Sequence, residues 1–106
     1  MIKVVNRSIR TQKPGACIFN IMRPSVLGNP FIIGQDGDRA EVITKYRVWL
    51  WDHIKAETPA IIAELRKIKH AVQTEPVVYL MCCCKPAKCH GDILKACIEW
   101  CLNKSK

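Results

Sequence analysis

The sequence predicts a small three-layer, Rossmann-like α/β domain, with a short, mainly parallel sheet and about three helices. Three observations carry that expectation. The run Val77-Val78-Tyr79-Leu80-Met81 is apolar without polar alternation, as in a strand covered on both faces within a parallel sheet. Two long segments before it, and one after it, repeat apolar residues at helical spacing. The resulting order of strand, long loop, helix, helix, strand, helix is that of an α/β fold, where ligands favour the carboxyl ends of the strands. A chain of 106 residues suits one domain, 1–106, that buries roughly two-thirds of its unfolded surface.

Ile2 to Asn6 is rich in β-branched residues and reads as the first strand. Residues 12 to 35 contain Pro14, Gly15, Pro24, Gly28, Pro30 and Gly34. They read mostly as loop, with short strands at Cys17 to Ile21 and Phe31 to Ile33. Ordered loops of this length in a small domain tend to be functional. Asp38, with Glu41 three residues on, makes a capping box for the first helix. Val42, Ile43, Tyr46, Trp49, Leu50 and Ile54 share one face of it, which places Trp51 on the opposite, wetter side. Thr58-Pro59 supplies the cap and first-turn proline of a second helix, with Ile61, Ile62, Leu65, Ile68 and Val72 as its stripe. The last helix starts near Gly91 or Asp92. Cys97 and Cys101 fall on its inner face and read as small core hydrophobes.

Apolar residues make up 49% of the chain and charged residues 25%, which excludes wholesale disorder. No run approaches the roughly 20 apolar residues of a membrane span, so no membrane partner is expected. Met1-Ile2-Lys3-Val4-Val5 has no secretion-signal core. The seven cysteines are odd in number, and three are consecutive. With no secretion signal, they argue for free thiols in a reducing cytoplasm. The net charge of +8 is uneven: Lys3, Arg7, Arg10, Lys13 and Arg23 all precede the first acidic residue, Asp36. Such a basic segment favours phosphates or nucleic acid, although a solvated surface is the plainer reading.

The segment with most chemistry is Cys82-Cys83-Cys84-Lys85-Pro86-Ala87-Lys88-Cys89-His90-Gly91-Asp92. In an extended strand Cys82 and Cys84 share a side and Cys83 takes the other. Cys89 and His90 then precede a helix, whose free N–H groups favour an anion and a thiolate. Cys89 and His90 are the candidate catalytic groups, with Gly91 and Asp92 beside the ligand. A zinc site would use Cys82, Cys84, Cys89 and His90. The spacing fits no common zinc pattern, and adjacent Cys-His ligands are awkward, which favours no metal over zinc. A packed, structural turn is the third reading. A cysteine-phosphatase loop is excluded, because the position that would need arginine is His90.

Arg23-Pro24-Ser25-Val26-Leu27-Gly28-Asn29-Pro30-Phe31 is the second unusual stretch. Two prolines stiffen it, and Gly28-Asn29 allows a sharp turn. Arg23, Ser25 and Asn29 can then bind a small polar ligand, with Arg23 forking onto phosphate or carboxylate. A plain turn-rich connector is the alternative.

Together these stretches resemble a bacterial and phage family of domains of unknown function, DUF4326. The resemblance rests on Val4-Val5-Asn6-Arg7, on Arg23 to Phe31, on Gly37-Asp38-Arg39, on Tyr46 with Trp49-Leu50, and on Cys82-x-Cys84-x-Pro86-x-x-Cys89-His90-Gly91-Asp92. Met22 and Cys83 depart from that family's pattern, where glycine and an aromatic are usual. The resemblance implies no established activity. If the chain is phage-encoded, the host cytoplasm is its expected location. The functional expectation is a domain that binds, and could process, a nucleotide or other anionic small molecule between the Arg23 loop and the Cys-His turn. Its alternatives are a nucleic-acid-binding accessory protein and a zinc-stabilised interaction module. No residue pair in the sequence fixes a reaction class.

Overall fold

The structure, a computed structural model, describes residues 1–82 and 87–104. Three four-residue strands, β1 (Ile2–Val5), β2 (Cys17–Asn20) and β3 (Val78–Met81), form a parallel sheet in the order β1-β3-β2. Both outer strands pair with β3, which sets Ile2 and Cys17 opposite Val78, and Val5 and Asn20 opposite Met81. All four residues of β3 are buried, as its unbroken apolar run predicts.

The helices are α1 (Ile9–Gln12), α2 (Arg39–Lys55), α3 (Pro59–Thr74) and α4 (His90–Lys104). The capping box of α2 is formed in full: Asp38 accepts from the Glu41 backbone N–H, and Glu41 accepts from that of Asp38. Pro59 opens α3, and the Thr58 hydroxyl pairs with His53 Nδ1 at 2.7 Å. The main core joins Ile2, Ile21, Val78 and Leu80 of the sheet side to Tyr46 and Leu50 of α2, Ile61 and Ile68 of α3, and Leu94 and Ile98 of α4. The three long helices therefore share one face of the sheet. The other face carries a smaller cluster, in which Ile9 of α1 packs on Tyr79 and Met81.

The parallel sheet and the α/β class are as expected. Among the described residues the second face of the sheet carries one short helix, α1. Phe31 to Ile33 is not a strand. Asn29 Oδ1 takes the Phe31 N–H at 2.9 Å, and Asp36 Oδ2 takes that of Ile32 at 2.8 Å, so side chains occupy the donors a ladder would need. Only an isolated bridge from Ile33 to Gly37 remains. Trp51 is not on a wet face either. It is half-buried and meets Trp100 of α4 edge-on, with ring centroids 5.3 Å apart. Cys97 is buried and Cys101 half-buried on the inner face of α4. Burial, with Cys101 beside it, pushes the Cys97 thiol up to about 12. No helix of the described residues is long and apolar enough to cross a membrane.

Candidate functional site

Three parts of the chain meet at the carboxyl end of the sheet: the loop after β2, the first turn of α2, and the start of α4. The loop is shaped by its own polar groups. Ser25 Oγ accepts the Leu27 N–H at 3.3 Å, and the Gly28 N–H reaches the Ser25 carbonyl at 2.8 Å. A Cβ on Gly28 would fall 2.8 Å from the Arg23 nitrogen and 2.9 Å from its Cα. Only glycine lets the turn close on Arg23 in this way. The Tyr46 hydroxyl donates to the Leu27 carbonyl at 2.7 Å, and Asn29 Nδ2 to the Val42 carbonyl at 3.3 Å. Both bonds hold the loop on α2.

His90, the first residue of α4, is 6% exposed. Its Nε2 lies 2.6 Å from the Ile21 carbonyl oxygen. A carbonyl only accepts, so Nε2 carries the hydrogen and Nδ1 carries the lone pair. Tyr46 stands edge-on to the imidazole, with centroids 4.9 Å apart. Burial lowers the His90 pKa, and the Arg23 guanidinium adds to that effect. The Ile21 bond and Asp92 oppose both without reversing them. The imidazole is thus held neutral near pH 7.

Arg23, Asn29, Cys82, Cys89 and His90 line one cavity of about 290 Å³. The sequence thus brings together residues far apart along the chain. Arg39 and Lys88 line it too; the sequence marked Lys88 only as a cation near the thiols and Arg39 only as part of the family motif, neither as a ligand contact. Arg39 Nη1 donates to the Lys88 carbonyl at 3.0 Å, bridging α2 to the approach to α4. Phe31, Ile32 and Ile33 form an apolar wall. No Asp or Glu lines the cavity among the described residues.

Ser25, Gly91 and Asp92 lie outside the cavity lining. Ser25 shapes the turn, and Asp92 Oδ2 accepts the Cys89 N–H at 3.3 Å. Gly91 allows close packing: a Cβ there would fall 2.7 Å from Val4 Cγ1 and 2.9 Å from Ile21 Cδ1. Cys83, Cys84, Lys85 and Pro86 fall outside the described residues, and with them the expected pairing of Cys82 and Cys84 on one side. Of the five basic residues before Asp36, Arg23 lines the cavity. Lys3, Arg7, Arg10 and Lys13 are exposed elsewhere.

Cys82, Cys89 and His90 are all buried, and their Sγ, Sγ and ring-nitrogen atoms lie within 4.8 Å of one another. The site thus combines a cavity lined by cationic and apolar side chains with a compact group of soft donors in its wall.

The model of a family described as Domain of unknown function (DUF4326) matches residues 5–100, a span that holds both the Arg23 loop and the Cys-His turn. No curated protein and no solved structure matches the chain.

Proposed function

The chain belongs to the DUF4326 family, and on that premise we propose that its cavity binds a nucleotide or another phosphate-bearing small molecule. The observation that carries this reading is the charge of the lining. Arg23, Arg39 and Lys88 border the cavity, and no Asp or Glu among the described residues does. Three cations with no carboxylate of the lining beside them favour a multiply charged anion, most directly through the planar guanidinium forks. The start of α4 adds the partial positive charge of a helix N-terminus. Phe31, Ile32 and Ile33 would carry a flat apolar body such as a base. About 290 Å³ lies at the small end of ligand pockets, which favours a mononucleotide over a larger cofactor. Neutral His90 could accept a proton at Nδ1, but the reading is one of binding, since nothing in the lining fixes a reaction.

A panel of mononucleotides and inorganic phosphate, screened by thermal shift and then by calorimetry, tests it. At least one should stabilise the protein. Arg23→Ala should then weaken that compound by about 1.5–3 kcal/mol, the usual worth of a charge-assisted hydrogen bond. The fold should hardly change, because Arg23 is exposed. Cys97→Ala, outside the cavity lining, should lower stability without a direct effect on affinity. No stabilisation by any compound at millimolar concentration would remove the proposal. The exposed Arg7, Arg10 and Lys13 favour a second reading, nucleic-acid binding by the N-terminal part. Its affinity would fall steeply with salt and would respond to Arg7→Glu rather than to Arg23→Ala.

A further inference from the structure

The geometry points to a binding site for one zinc-class divalent cation in the cavity wall, held by the Cys82 and Cys89 sulfurs and by Nδ1 of His90, with a fourth coordination position open to the cavity. The inference rests on the donor set and not on the anion reading.

Spacing alone disfavours this site, because adjacent Cys-His ligands rarely serve one ion. The fold removes that objection. Cys89 ends the approach to α4 and His90 begins the helix, and the Cys89 sulfur and a ring nitrogen of His90 still fall within 4.8 Å of each other and of Cys82 Sγ. Zinc–sulfur bonds of about 2.3 Å in a tetrahedron put two sulfurs roughly 3.8 Å apart. A separation at the 4.8 Å limit would therefore close by about 1 Å on binding. Two sulfurs and an imidazole are the ligand types that select zinc and its soft neighbours over magnesium or calcium.

His90 is also prepared for the role. Its Nε2–H is committed to the Ile21 carbonyl at 2.6 Å, so Nδ1 presents the lone pair. Metal-binding histidines are usually oriented by such a bond from the other ring nitrogen to a carbonyl or carboxylate. The ring is further fixed by Tyr46, edge-on at 4.9 Å. All three donors are buried, so the ion would lose water and gain ligands in a poorly solvated place. Binding displaces one proton from each thiol to solvent. Among the described residues the donors are three rather than four, which leaves a position for water or a ligand, as in zinc sites that act on substrates. Because the same three residues line the cavity, that position opens onto it.

The test is metal content and affinity of the full chain, purified without chelator and titrated with Zn²⁺ and with Co²⁺. The proposal expects one ion per chain, and a cobalt spectrum with thiolate charge-transfer bands and tetrahedral intensity. Cys82→Ser and Cys89→Ser should each weaken Zn²⁺ by about 100-fold or more, at least the loss that outer-shell changes cause. Cys97→Ser and Arg23→Ala should keep the ion, the latter even if it abolishes anion binding, so failure of one proposal leaves the other standing. Cys84→Ser should keep it as well; loss of the ion there would overturn the open fourth position. Should a ligand variant unfold, chelator treatment of the unaltered protein decides. The melting temperature should fall and recover with added Zn²⁺. Less than about one-tenth of an ion per chain after titration, or a Cys82–Cys89 disulfide in fresh protein instead of metal, would overturn the site.

Discussion

Gly91 shows how little room surrounds the site. It sits beside His90, and a single added methyl would press on Val4 and Ile21 at 2.7 and 2.9 Å. Val4 is β-branched and stiff at χ1, and Ile21, whose terminal methyl is met, is fully buried. Gly91→Ala should therefore destabilise the fold by about 1–3 kcal/mol, as overpacking usually does, although alanine is the better helix former. Urea denaturation measures the loss; an unchanged midpoint would show that α4 shifts freely. The cavity itself was partly legible residue by residue. Arg23, Asn29, Cys89 and His90 stand out because rigid or unusual backbone presents them. Arg39 does not, because it looks like an ordinary first-turn residue of α2. Its part in the lining depends on a bond to the Lys88 carbonyl, 49 positions away, and no local pattern encodes that. Asn29 was legible as a polar group on a stiff loop, yet its amide is spent on the Phe31 N–H and the Val42 carbonyl.

Among the elements, α2 is defined most sharply at both ends. Its C-terminus closes with Glu57 N–H to the Ile54 carbonyl and Thr58 N–H to that of His53, the paired bonds of a Schellman motif. Glu57 takes φ of 54°, a conformation in which side chains crowd the backbone and glycine does not. Glu57→Gly should raise stability by about 0.5–1 kcal/mol, the relieved strain less the added flexibility of the unfolded chain. Matched thermal and urea unfolding curves check the sign. The capping box of α2, the Pro59 start of α3 and the apolar stripes made α2, α3 and α4 readable to within a residue or so at their starts, although the Thr58 hydroxyl expected to cap α3 pairs with His53 and makes no cap bond. The exception on α2 was Trp51, since helical phase says which side a residue faces but not that Trp100 will cover it. The strand expected at Phe31 to Ile33 failed for a comparable reason. Its composition is that of a strand, but Asn29 and Asp36 had already taken its donors. The short α1 gave no periodic signal at all, being only four residues long.

At the scale of the whole molecule, buried thiol and phenol groups set the response to alkali. Burial raises both Cys97, to about 12, and Tyr46 from their ordinary values of 9.0 and 10.0. In the unfolded chain both would ionise near those ordinary values. Their contribution to stability is therefore complete below pH 9 and is lost as pH rises from there towards the folded-state values. Unfolding free energies measured from pH 7 to 11 should fall above about pH 9, and Cys97→Ala should make the fall shallower. An identical slope in that variant would assign the alkaline loss elsewhere. The sheet order carries a different consequence, one of timing. Every ladder in the sheet uses β3, which pairs Ile2 and Cys17 alike with Val78. Among the described residues, β1 therefore has no ladder partner in a growing chain until Val78 to Met81 have been made. Closing loops of such length before any ladder forms is slow. Helices α2 and α3 can pack on each other earlier, but neither outer strand can join a ladder until Val78 to Met81 are in place to serve both neighbours.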